Sequence, residues 1–262
     1  MPPITTIEDL RRAFSSNLYI DPMQLDESDN TLLHHVLKDP QADQLTILQI
    51  LRRHVILDHQ NNQGQTIFHI AAKHAHPEVL QMILDYPGEF YDNDLCETNI
   101  PDNNGNTIYH YASVNNIAIL GEYNYDINAK NNVHMTPLLD AIFKSEDSRA
   151  IALLEAGADI LATDSSSNNA FHYCITRPII NHQILDMLCS TPHCPINNKN
   201  ILGNSPLDLA IINNNQELVN KVWQTWAFSE NELQRWINSP HPMANYLRTL
   251  VESRRSFRSR FI

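Results

Sequence analysis

The chain has 262 residues, 42% of them hydrophobic, and a net charge of −12 with histidine neutral. It has no apolar run near the ~18 residues that a membrane helix needs, and its acidity argues against nucleic acid as a partner, since phosphate contacts require clustered Lys and Arg. Cys96, Cys174, Cys189 and Cys194 are too few and too irregular for a disulfide framework, and Met1-Pro2-Pro3-Ile4 lacks the basic and apolar regions of a secretory signal, so a reducing cytoplasm is the expected setting.

Residues 1–25 read as a helical cap. Thr5 and Glu8 have capping-box spacing, and Leu10, Phe14 and Leu18 then form an apolar stripe. From residue 26 a phrase recurs in which threonine precedes two apolar residues and a histidine. Its clear copies are Thr31-Leu32-Leu33-His34, Thr66-Ile67-Phe68-His69 and Thr107-Ile108-Tyr109-His110. Weaker copies are Thr136-Pro137-Leu138-Leu139, Asn169-Ala170-Phe171-His172 and Ser205-Pro206-Leu207-Asp208. The first positions lie 35, 41, 29, 33 and 36 residues apart.

Five residues before each first position sits Asp26, Asn61, Asp102, Asn131, Asp164 or Asn200, and Asx side chains favour turns by bonding nearby backbone. Two residues before it, three copies carry Gly64, Gly105 and Gly203, where a tight hairpin needs positive φ. A small or apolar pair follows each phrase, Ala71-Ala72 and Ala112-Ser113 among them, and would let adjacent helices approach closely. Second helices are predicted at Leu45–Leu51, Glu78–Leu84, Ile117–Leu120, Arg149–Leu154, Ile184–Leu188 and Glu217–Trp223.

A period near 33 residues with this phrase resembles the ankyrin repeat. The resemblance covers residues 26–228. It implies an all-α solenoid of about six helix-turn-helix units with short β-hairpin loops, closed by helical caps at 1–25 and 229–252 and followed by a basic tail at 253–262. In that family the phrase's imidazole makes structural hydrogen bonds between loops and helices, a role that carries over to His34, His69, His110 and His172. The resemblance also implies a monomeric, non-enzymatic protein-binding module that needs no cofactor or metal.

Hairpin tips and exposed first-helix positions make the family's concave binding surface. Matching the pattern nominates Asn62, Gln63, Gln65, Lys73 and His74 from repeat 2, and Asn104, Asn106, Val114 and Asn115 from repeat 3. Repeat 4 contributes Asn132, Val133, Met135, Phe143 and Lys144. Thr176 and Arg177 come from repeat 5, and Ile201, Leu202, Asn204, Ile212 and Asn213 from repeat 6. Val133, Met135 and Phe143 form one candidate apolar centre, with Ile201, Leu202 and Ile212 a second. The other reading is a substrate-recruiting part of a larger enzyme or ubiquitin-type system. The composition resembles ankyrin proteins that intracellular bacteria inject into host cells, which would make the partner a host protein. Leu120 followed by Asp126-Ile127-Asn128 resembles the context in which ankyrin asparagines are hydroxylated. Alternatively, Asn128 simply stabilises its turn.

Three segments stand outside the repeat logic. An insertion at about 85–101 carries Asp85, Glu89, Asp92, Asp94 and Glu97 with Tyr86, Phe90 and Tyr91, and reads either as a grip for a basic partner or as a solvated loop. Cys189-Ser190-Thr191-Pro192-His193-Cys194 packs metal-ligand types together, but the fourth ligand of a zinc site is not evident. After Trp223, Ser229 and Glu232 have capping-box spacing, opening a helix through Trp236 that Pro240 and Pro242 end. A last helix is expected over Met243–Glu252. No phosphate loop, dinucleotide fingerprint, nucleophile elbow or His-Glu-x-x-His motif occurs in the sequence.

Overall fold

The recurring phrase builds the same local object each time. The computed structural model describes residues 7–16, 18–53, 55–86, 99–123, 125–177, 179, 181–190, 196–225 and 230–259. Every described element is helical, and hairpin turns without strands join the repeats. An N-terminal helix α1 (Ile7–Ser15) precedes six helix pairs. They are α2 (Leu32–Val36) with α3 (Gln44–Leu51), α4 (Ile67–His74) with α5 (Pro77–Asp85), and α6 (Ile108–Tyr111) with α7 (Val114–Glu122). Then come α8 (Pro137–Phe143) with α9 (Asp147–Glu155), α10 (Ala170–Thr176) with α11 (His182–Cys189), and α12 (Pro206–Ile212) with α13 (Gln216–Thr225). Two more helices, α14 (Glu230–Ile237) and α15 (Ala244–Ser259), follow.

The chain divides into two compact units, Met1–Ser165 and Ser166–Ile262. In the first, first helices pack on first helices (α2 on α4, α4 on α6, α6 on α8) and second on second (α3 on α5, α5 on α7, α7 on α9). The expected small residues make this possible, since Ala71, Ala72, Ala112 and Ala141 are fully buried at those crossings. Phe68, Ile67, Leu80, Ile108, Tyr109 and Leu153 fill the space around them. Each fully buried side chain of this size contributes about 1.5–3 kcal/mol. The cap helix α1 buries Leu10 and Ala13, and Arg53 stacks over the Phe14 ring at 4.8 Å.

In the second unit α10 packs on α12, and α14 packs on α15. The last repeat has Asp208 where repeats 1, 2, 3 and 5 have histidine, and its carboxylate takes the Ser205 N–H (2.9 Å), the Trp236 indole N–H (2.7 Å) and the Arg235 guanidinium. Those bonds outweigh burial, which alone would raise its pKa, and hold Asp208 below the usual carboxylate range. The array is thus closed by a clasp from α14 onto the last copy of the phrase. The tail expected from 253 is helical through Ser259, because α15 simply continues past Glu252. Thr5, most of the acidic insertion, Ser229 and Thr191–Cys194 lie outside the described residues.

Candidate functional site

The histidines come first, because they are the groups best suited to chemistry. In repeats 1, 2, 3 and 5 the ring Nδ1 accepts the backbone N–H of the residue that caps its own helix, at 3.2, 3.1, 3.1 and 3.2 Å. In repeats 1, 2 and 3 the ring proton is therefore on Nε2, and in all four repeats Nε2 meets the carbonyl of Gln65, Asn106, Met135 or Asn204 in the following repeat, at 3.0–3.1 Å. Both nitrogens of each ring are committed. Burial is the main cause that lowers the pKa of His34, to about 4, and also those of His69 and His110. A protonated ring would lose its acceptor. These imidazoles serve as links between repeats.

The hairpins follow an equally regular scheme. The Asx oxygen of Asp26, Asn61, Asp102, Asn131 and Asn200 accepts two backbone N–H groups, two and four residues on, at 2.8–3.1 Å. All six turns then bring a positive φ two residues before the helix cap. Glycine supplies it at Gly64, Gly105 and Gly203, and Asp29, His134 and Ser167 supply it without glycine. At the tip, the Nδ2 groups of Asn62, Asn103 and Asn132 reach the backbone of the preceding hairpin at 2.9–3.2 Å. Those side chains are structural, which leaves Gln63, Asn104, Val133 and Leu202 facing solvent.

Four nominated residues turn inward. Met135 is 8% exposed and does not belong to an exposed apolar centre with Phe143, which is 61% exposed. Gln65, Asn106 and Asn204 are half-buried. The reason is shared: each of the four precedes a helix cap, and its carbonyl receives the histidine of the repeat before. Arg177 is half-buried at the end of α10, while Lys73, His74, Lys144, Thr176, Ile212 and Asn213 are exposed at or beside first-helix ends. Asn128 holds its turn: Oδ1 accepts the Asp159 N–H at 2.8 Å and its own N–H donates to Asp126. Cys189 is buried at the end of α11.

Val114 and Asn115 require a larger correction. Counting from Thr107 places them at the end of a first helix, but they are the opening residues of the second, α7. From the opening threonine to the second helix takes 11 residues in repeats 2 and 4 and 7 in repeat 3. The missing four amount to about one helical turn, and α6 has 4 residues against 8 in α4. The gap forms a cleft of about 460 Å³ in the first unit. Its walls include Lys73 on one side, Lys144, Glu146, Asp147 and Arg149 on the other, and Tyr111, Ala112, Ser113 and Val114 between.

Two side chains that the sequence pattern did not single out close the full-length α4 and the shortened α6. Asn116 and Arg149 are each the third residue of a second helix, where repeats 2, 5 and 6 carry Val79, Ile184 and Leu218 and repeat 1 carries Thr46. Asn116 is fully buried and donates to the carbonyls of Ala72 (2.9 Å) and Ala75 (3.0 Å), closing α4. Arg149 donates to the carbonyls of His110 and Tyr109, closing α6. The shortened α6 is thus closed by the longer side chain and the full-length α4 by the shorter one. Asp140, 8% exposed, stands 3.6 Å from the guanidinium and also takes Lys144 at 2.9 Å. A polar residue where the second helix's apolar stripe should begin is the signal that was available.

Comparison with known proteins agrees with this geometry. Residues 34–131 match the family model described as "Ankyrin repeats (3 copies)". Among solved structures, the ankyrin repeat domain of Bcl-3, described as a unique member of the IkappaB protein family, is similar with a TM-score of 0.54. It shares 21% identity over 77% of this chain and 86% of that one. At that identity the likeness speaks for the fold. A search of curated protein sequences found no match.

Proposed function

We propose that this chain, an all-α array with the ankyrin-repeat fold, is a non-enzymatic protein-binding module that holds its partner along hairpin tips and first-helix ends. One observation carries the reading. Of the twelve large hydrophobic residues exposed in the described chain, Val133, Ile201 and Leu202 lie at hairpin tips and Phe143 and Ile212 at first-helix ends. Within each unit, exposed apolar residues at repeat-equivalent places, rimmed by polar ones, suit a contact surface. The imidazoles, with both nitrogens bonded, support binding over catalysis.

Phe143→Ala is expected to weaken partner binding by about 1–3 kcal/mol. The melting temperature should hold, because exposed substitutions usually change stability by under ~0.5 kcal/mol. The test compares proteins captured by the wild type and by the variant, alongside thermal melts of both. Lost stability with unchanged capture would make Phe143 a packing residue and remove repeat 4 from the surface.

A further inference from the structure

Three of the chain's six lysines, Lys38, Lys73 and Lys144, stand seven, seven and eight residues after the opening threonines of repeats 1, 2 and 4. All three are exposed and lie in the first unit. Lys73 and Lys144 line the same cleft. Lys73 and Lys38 both approach His74, where their charges add to burial in lowering its pKa. A cation near a helix C-terminus offsets the helix dipole, so part of this row has a local cause. Lys144 is also tied to Asp140. Lys38 and Lys73 have no acid within ion-pair distance among the described residues. In a chain of net charge −12, that leaves unpaired cations gathered on one edge.

The cleft is not uniformly basic. On the repeat 4 wall Lys144 and Arg149 are paired with Asp140 and Glu146, so the cation left open to an incoming carboxylate is Lys73 on the opposite wall. A polyphosphate chain carries dense, regular charge and would set phosphates against those acids as well as against the lysines. A peptide presents isolated carboxylates that can be placed one at a time. We infer that the edge of repeats 1–4 receives an acidic segment of the partner protein, with one carboxylate in the cleft against Lys73 and another against Lys38. This rests on the protein-binding reading and adds the charge of what is bound.

The test selects phage-displayed random peptides of about twelve residues on the full chain, then titrates an enriched peptide by fluorescence anisotropy. Enriched peptides should be rich in Asp and Glu. Their affinity should fall about tenfold in a Lys38→Gln/Lys73→Gln variant, as two partly exposed charge pairs allow. It should be unchanged in Lys199→Gln, a lysine of the second unit. Neutral or basic peptides that lose binding with Phe143→Ala but not with the lysine variant would refute the acidic partner and leave the protein-binding reading standing. A single-stranded RNA of similar length binding more tightly, with the same lysine dependence, would overturn the partner class. A library that enriches nothing counts against both readings.

Discussion

The first helix of repeat 2 runs from Ile67 to His74, while that of repeat 3, opened by the same threonine and histidine, stops at Tyr111. The two starts are alike bond for bond: Nδ1 accepts the cap N–H at 3.1 Å in both, and Nε2 reaches the next hairpin at 3.1 and 3.0 Å. The ends differ by a turn, and each is closed from the following repeat, by Asn116 for one and Arg149 for the other. The start of a repeat is fixed by its own residues. Its length is adjustable, provided the neighbour's side chain can reach the carbonyls left open.

Acid probes the shared start and should give the largest effect. His34, His69 and His110 are held neutral with pKa values below the free histidine value, about 4 for His34. The unfolded chain therefore binds more protons, and this stability is complete above about pH 6.5 and is lost as pH falls through each folded value, which for His34 is about 4. The loss approaches about 1.4 kcal/mol per pH unit per histidine. Denaturant midpoints measured between pH 7 and 4.5 should fall steadily. A flat profile would mean that the rings accept a proton without breaking their links.

Removing the adjusters should separate the two ends. Arg149→Ala leaves Asp140 with Lys144 alone and two carbonyls open, and losing hydrogen bonds from a charged group costs about 1.5–3 kcal/mol each. Asn116→Ala removes neutral bonds only and should cost about 1–3 kcal/mol. Equal losses in urea titration would say that the shortened end needs no special closure.

The hairpins provide a smaller contrast. A side chain at Gly105 would collide with the backbone and side chain of Asn132 in the next hairpin, whereas one at Gly203 meets nothing within 4 Å, and φ is +75° and +76°. Both valine variants incur the left-handed penalty of about 1–2 kcal/mol. Gly105→Val should lose more than Gly203→Val, and a reversed order in thermal melts would contradict the packing of adjacent hairpins.

The repeat starts were legible because the devices are local. A capping residue and a histidine three positions later need only each other, and an Asx residue reaches N–H groups two and four residues on. The glycine signal was incomplete, since Asp29, His134 and Ser167 adopt the same turn. The surface was less legible. Met135 follows the hairpin pattern by position, yet its carbonyl is the acceptor for His110, and that bond draws the residue inward. A spacing of 29 announces missing residues without saying where, so counting forward from Thr107 misplaced Val114 and Asn115. Locating the deletion required Arg149, whose partners lie 39 and 40 residues away.

Restoring the missing turn tests this account most directly. Arg149→Asn alone should lower the urea midpoint, with a loss of about 3 kcal/mol, because the shorter side chain cannot reach His110 and Tyr109. Inserting a copy of Ala71-Ala72-Lys73-His74 between Tyr111 and Ala112 rebuilds the junction that Asn116 closes in the preceding repeat. The same Arg149→Asn protein carrying that insertion should recover most of the lost stability. If the insertion lowers the midpoint further, the short helix is not a turn missing from an otherwise regular repeat, and the cleft is not the gap that it leaves.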